Sequence, residues 1–197
     1  MGGELVVGPV AGTDGAALVA LFDRAGCSCF CRYWHFAGDK NAWQERCARA
    51  PERNREELLD ALAHGASDAS GVVARTPDAA IVGWLKLAPA LALPKLHQRR
   101  PYAGLPGYPG DRDGVMVVGC LLVEPAYRRQ GVSRRLVAGA IAAARAAGAR
   151  AIEAFPHRTG EVPDELLMMG PWSVFTSAGF RAAAGYDPYP ILRLDLR

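Results

Sequence analysis

The chain has 197 residues, of which 50% are hydrophobic and 22% charged, with a net charge of +3. That length and apolar content fit one globular domain spanning 1–197 with a core of its own. The small, dispersed positive charge excludes bulk electrostatic binding of nucleic acid, and no run reaches the ~18 apolar residues of a membrane helix, the most apolar stretch being bounded by Arg134, Arg135 and Arg145.

The opening Met-Gly-Gly-Glu4 has neither the basic nor the apolar region of a secretory leader, so the cytoplasm is the expected compartment. Residues 4–10 are short and rich in valine and predict a strand. Thr13-Asp14 then precedes a helix whose Leu18, Leu21 and Phe22 share a face. Asp39 is placed to cap a helix running to Arg49, and Pro51 opens another to about His64, ended by Gly65. Gly71–Arg75 and Ala80–Leu87 read as two strands joined by a short turn, an antiparallel hairpin. From Pro89 to Gly114, proline and glycine recur without period, which predicts a long surface loop over a cleft.

Val115–Val123 is continuously apolar, the pattern of a strand buried on both faces. Arg129–Gly148 predicts a helix with Leu136, Ala140 and Ala144 facing the core, and Arg150–Phe155 the next strand. Strand, helix, strand implies a parallel crossover. Trp172–Ala178 predicts a short helix, and the segments from Phe180 and from Ile191 a last strand pair.

The segment richest in chemistry lies between the buried strand and the long helix: Val123-Glu-Pro-Ala-Tyr-Arg128-Arg-Gln-Gly131-Val-Ser133. A glycine at a strand-to-helix turn lets backbone approach a ligand closely, and the unpaired first-turn amides attract anions. Arg128, Arg129, Arg134 and Arg135 add positive charge, and Ser133 adds a hydroxyl. A phosphate group is the ligand these features fit; the alternative is an ordinary helix start with solvated arginines.

Arg128, Gly131 and Ser133 occupy the positions of a pattern, Arg or Gln, two residues, Gly, one residue, Gly or Ala, that resembles the acyl-CoA-binding motif of the GNAT superfamily of N-acyltransferases. Serine at the last position departs mildly from it. Ala178-Gly179-Phe180 is similar to a recurrent ending of that family, and the order of elements from residue 4 to 196 follows its plan. The resemblance implies an α/β (mixed α+β) fold, with a central, mostly antiparallel mixed sheet flanked by helices. It implies acetyl-CoA as donor substrate, with direct transfer to a primary amine and no metal. Leu122 and Val123 would pair with the pantetheine arm, while Arg129, Gln130, Gly131, Val132 and Ser133, with Arg128, would hold the pyrophosphate. Many members carry a tyrosine four residues before the Gly of that ending, where this chain has Phe175. Ser173 and Tyr186 are the hydroxyls nearby in sequence, and Ser173 is the candidate acid.

An acceptor amine must lose a proton, and Glu153 is the candidate base, since a carboxylate in the apolar run Ala-Ile-Glu-Ala-Phe requires a partner or a role. Pairing with an arginine is its alternative; Glu124 reads as a turn carboxylate and His157 as a loop residue.

Cys27, Cys29 and Cys31 alternate, so in an extended chain their thiols share a side, with Tyr33, Trp34 and His35 following. Zinc sites space their cysteines differently, and no second close pair exists beside Cys47 and Cys120. In the family the region joining the first helices walls the acceptor site, so Cys29, Tyr33, Trp34 and His35 are the expected acceptor contacts. A CoA-binding module without turnover and a thiol-based metal or redox protein are the competing readings. Acetyl-CoA and an amine-bearing acceptor are the expected partners of a monomer or homodimer that binds neither nucleic acid nor membrane.

Overall fold

A computed structural model describes residues 4–158 and 167–196. The expected hairpin forms: β2 (Gly71–Arg75) pairs antiparallel with β3 (Ile81–Pro89), and β1 (Val6–Pro9) covers the outer edge of β2. β4 (Val115–Val123) is antiparallel to β3 and parallel to β5 (Ala151–Ala154). β6 (Arg181–Tyr186) and β7 (Tyr189–Asp195) complete a seven-stranded sheet in the order β1-β2-β3-β4-β5-β7-β6. The parallel step between β4 and β5 needs a crossover, which is the helix α5 (Val132–Ala146). This is the mixed, mostly antiparallel sheet with flanking helices that the resemblance implies.

Alternation along the strands sends their side chains to two cores. On one face Val73, Ile81 and Trp84 meet Leu18, Leu21 and Phe22 of α1 (Gly15–Arg24) and Leu58 and Leu62 of α3 (Pro51–Ala63). On the other, Val72, Leu85 and Val118 meet Leu136, Val137, Ala140 and Ala144 of α5. The close approach of α5 depends on Gly83, where a Cβ would lie 3.0 Å from both Val132 and Leu136. Between α1 and α3, α2 (Lys40–Arg49) begins where expected, with the Asp39 carboxylate accepting from the Ala42 amide at 2.8 Å. Among the described residues no helix is long and apolar enough to cross a membrane.

Three expectations are corrected. The Pro89–Gly114 segment is a surface loop only in part: residues 98–114 lack helix and strand and are mostly exposed, but the segment also contains the short helix α4 (Pro94–His97), and its Leu93, Leu96 and Tyr102 are buried in a third core with Trp34, Phe155 and Ile191. The long helix starts at Val132 rather than Arg129, because Arg129 and Gly131 hold positive φ angles of 61° and 79° and keep the chain turning. The cysteine stretch is not extended, since Phe30 and Cys31 are left-handed (φ 42° and 58°) and fold it into turns.

α6 (Trp172–Ser177) forms near its expected bounds, and its Phe175 is wholly buried, edge-on to Phe180 with ring centroids 5.4 Å apart.

Candidate active site

β4 and β5 are paired only from Val115–Ala151 to Val117–Glu153. β4 then runs on to Val123 without β5 beside it, and the Leu121 amide donates instead to the Met168 carbonyl at 2.9 Å. The split opens a cavity of about 570 Å³, with Leu122 and Val123 on one wall, Ser173 and Val174 on the other, and the turn into α5 at its end.

That turn is an anion cradle. Gly131 caps α5, no side-chain cap serves the first-turn amides, and a Cβ at Gly131 would meet nothing within 4 Å. Arg128, Arg129, Val132, Ser133 and Arg134 line the same end, and Arg128 also donates to the Val123 carbonyl at 3.4 Å. Gln130 does not line the cavity; its side-chain amide turns back to the Ala126 carbonyl at 2.8 Å and braces the turn. A cradle of free amides beside cations, open where a side chain would stand, fits a pyrophosphate.

A second cavity, of about 610 Å³, adjoins the first at Cys29, Leu167 and Met168. Tyr33, Trp34 and Trp43 form one of its walls, and Tyr102, Phe155 and Tyr189 form another. Trp34 is fixed there by its indole N–H, which donates to the Gly119 carbonyl at 2.6 Å. That carbonyl is presented by a bulge in the β3–β4 ladder, where Lys86 opposes Cys120 and Leu87 already opposes Val118. His157 also lines this cavity, its ring edge-on to Tyr189 with centroids 5.1 Å apart. Cys29, Tyr33 and Trp34 thus stand at the second cavity.

His35 does not, and its expected acceptor contact is corrected. It lies behind the cavity wall, with Nδ1 4.0 Å from Asp68, in a buried group with Arg32 and Lys86. Burial and the neighbouring Lys86 and Arg32 charges, only partly offset by Asp68, lower its pKa to about 4. The chain turns at Arg32 and Tyr33 send successive side chains to different sides, which periodicity alone does not reveal.

Glu153 is also corrected as the base. It is 3% exposed, lines neither cavity, and is clamped by both Arg112 nitrogens at 2.7 Å and by Arg193 at 2.9 Å. Both of its oxygens are taken up by guanidinium hydrogen bonds, so neither is turned toward a bound amine. Glu124 pairs with Arg24 at 3.0 Å, and Tyr186 is exposed beside Tyr189.

Four of the five thiols fall into two pairs, and the fifth, Cys47, accepts from the Asn54 amide at 3.6 Å. The Cys27 and Cys29 sulfurs are 3.4 Å apart beside the first cavity, while Cys31 is buried against Cys120 near Lys86. Burial pushes the Cys31 thiol up, but the Cys120 hydrogen bond, Lys86, Trp84 and Arg32 together pull it down to about 6. Among the described residues no group of three or more His, Cys, Asp or Glu is arranged to hold a metal ion.

Sequence reasoning missed Arg99, Tyr102, Phe155 and Tyr189. Nothing local marks them, because they come from three distant segments that meet only when the third core closes.

The sequence profile described as the acetyltransferase (GNAT) family matches residues 30–162. Solved structures similar in fold include a PaiA N-acetyltransferase from Thermoplasma acidophilum in complex with coenzyme A, 12% identical with a TM-score of 0.57, covering 98% of this chain and 99% of that one. A GCN5-related N-acetyltransferase from Kribbella flavida is 18% identical, with a TM-score of 0.55 and 98% of each chain covered. A GNAT family acetyltransferase from Brucella melitensis in complex with acetyl-CoA is 17% identical, with a TM-score of 0.51, covering 98% of this chain and 89% of that one. No protein of curated function matches the chain.

Proposed function

This chain belongs to the acetyltransferase (GNAT) family, and on that premise we propose that it is an acetyl-CoA-dependent N-acetyltransferase acting on a primary amine. The observation that carries the reading is the split between β4 and β5, which ends on the Gly131 turn and adjoins a second cavity at Cys29. A donor cleft and an acceptor cavity meeting at one point are what direct transfer between two bound substrates needs.

In this reading the amides from Arg129 to Ser133, with Arg128 and Arg134, hold the pyrophosphate, and the edge at Leu122 and Val123, which β5 does not reach, pairs with the pantetheine arm as an added strand. A β4 amide polarises the thioester carbonyl. The amine nitrogen forms a bond to the carbonyl carbon, the carbon–sulfur bond breaks, and the amine gives up one proton. His157 takes that proton, being the imidazole on the wall of the acceptor cavity. Ser173, on the wall of the donor cleft, hydrogen-bonds the departing thiolate. Phe175 has no proton to give and is buried in the core.

Release of the CoA thiol on mixing acetyl-CoA with primary amines tests the proposal. Turnover with at least one amine is expected, and His157→Gln should lower kcat by about 100-fold. Thiol release with no amine, despite tight binding of acetyl-CoA, would leave a binding module instead of an enzyme.

A further inference from the structure

The acceptor cavity combines aromatic walls with positive charge and, among its described lining residues, no carboxylate. Arg99 and Lys40 line it, and among the described residues neither is in an ion pair. Among the described residues, the carboxylates nearest this region are committed elsewhere, and Glu45 of α2 pairs with Arg49 at 3.4 Å. Asp39 caps α2, Asp68 pairs with Arg32 at 2.8 Å, and Glu153 is held by Arg112 and Arg193.

Aromatic walls alone could equally suit a cationic acceptor. Here the protein's own cations already lie over the rings. The Arg99 guanidinium is 5.9 Å from the Trp34 centroid and 5.5 Å from that of Tyr102, and the Lys95 ammonium is 4.5 Å from that of Tyr33. Lys95 is further tied to the Phe36 and Gly38 carbonyls at 2.8 and 3.1 Å, so this charge is fixed behind the wall. A second cation entering would meet repulsion in a partly desolvated space. The stacked Arg99 instead keeps its guanidinium oriented with no side-chain hydrogen bond among the described residues, the arrangement that binds a carboxylate.

We propose that the acceptor is an amine that also carries an anionic group and an apolar body, the chemistry of a hydrophobic or aromatic amino acid, with Arg99 receiving its carboxylate. This rests on the acetyltransferase reading above. The positive surroundings also favour the uncharged amine, the form that attacks the thioester, over the ammonium. The cavity's volume of about 610 Å³ accommodates a side chain as large as an indole between Trp34, Trp43 and Phe155. The transfer balances as above: one N–C bond forms, one C–S bond breaks, and the amine's proton passes to His157.

The test follows CoA thiol release at saturating acetyl-CoA with matched acceptors: phenylalanine against phenethylamine, tryptophan against tryptamine, and spermidine and an aminoglycoside as polycations. The amino acids should exceed their decarboxylated partners in kcat/KM by about tenfold or more, and the polycations should be poorest. Arg99→Leu should lower kcat/KM for phenylalanine by about 10- to 100-fold, mostly through KM, and leave phenethylamine within about twofold, with Arg99→Lys restoring part of the loss. A preference for the polycations or decarboxylated amines, or an Arg99→Leu loss equal for both members of a pair, would overturn the inference while the acetyltransferase reading stands. Acetyl-CoA binding by calorimetry without release on any amino acid overturns it as well. Absence of both binding and release removes the underlying reading and the inference together.

Discussion

His35 is a residue whose role is decided by its neighbours. Its pKa of about 4, against an ordinary 6.5, is set first by burial and then by repulsion from Lys86 and Arg32. A histidine lowered in the folded state contributes its full stability above the unfolded value and loses it as the pH falls toward the folded one. Unfolding by denaturant should therefore show a loss on the order of 3 kcal/mol between pH 6.5 and pH 4 from this group. His35→Gln should flatten that limb of the profile; an unchanged slope would place the acid sensitivity elsewhere. Local sequence could suggest that His35 matters, because it follows Tyr33 and Trp34, but not that its Nδ1 stands 4.0 Å from Asp68. Glu153 is similar: its place in an apolar strand announces a partner, whereas its two arginines lie 41 and 40 residues away in the chain.

At the scale of elements, what was legible in sequence was what is locally encoded. The hairpin of β2 and β3, the Asp39 cap of α2, the continuous apolar β4 and the turn at Gly131 all carry their signals within a few residues. The Pro89–Gly114 segment was not legible, because proline and glycine conceal the burial of Leu93, Leu96 and Tyr102 beneath Trp34 and Phe155. Neither was the left-handed turn at Phe30 and Cys31, which breaks the alternation of the thiols. If the segment is core, Leu96→Ala should cost about 2–5 kcal/mol in denaturant unfolding, as for a buried leucine. A cost below about 0.5 kcal/mol, the range of a surface substitution, would return the segment to a mobile loop. The same segment carries Arg99, so its packing bears on the acceptor cavity as well as on stability.

Across the whole molecule, one sheet with two faces positions two adjoining cavities. α1 and α3 fill one face and α5 the other, and the sheet opens between β4 and β5 where α5 begins. The net charge of +3 says little by itself. Its distribution says more: Arg128, Arg129 and Arg134 stand at the open turn, while Arg99 and Lys40 stand at the second cavity, as the proposed function requires. Four of the five cysteines form two thiol pairs, one of which places Cys29 where the cavities adjoin, and the fifth, Cys47, packs against Asn54.

The most direct measurement is isothermal titration of acetyl-CoA into the protein and into Gly131→Val. A Cβ there points into open space and would crowd the cradle without touching the core, although positive φ carries a strain of about 1–3 kcal/mol for a β-branched residue. Saturable binding of one equivalent to the protein, lost in a variant that still unfolds cooperatively, is the predicted result. No binding to the protein, or an affinity unchanged in Gly131→Val, would contradict the assignment of this turn as the CoA site.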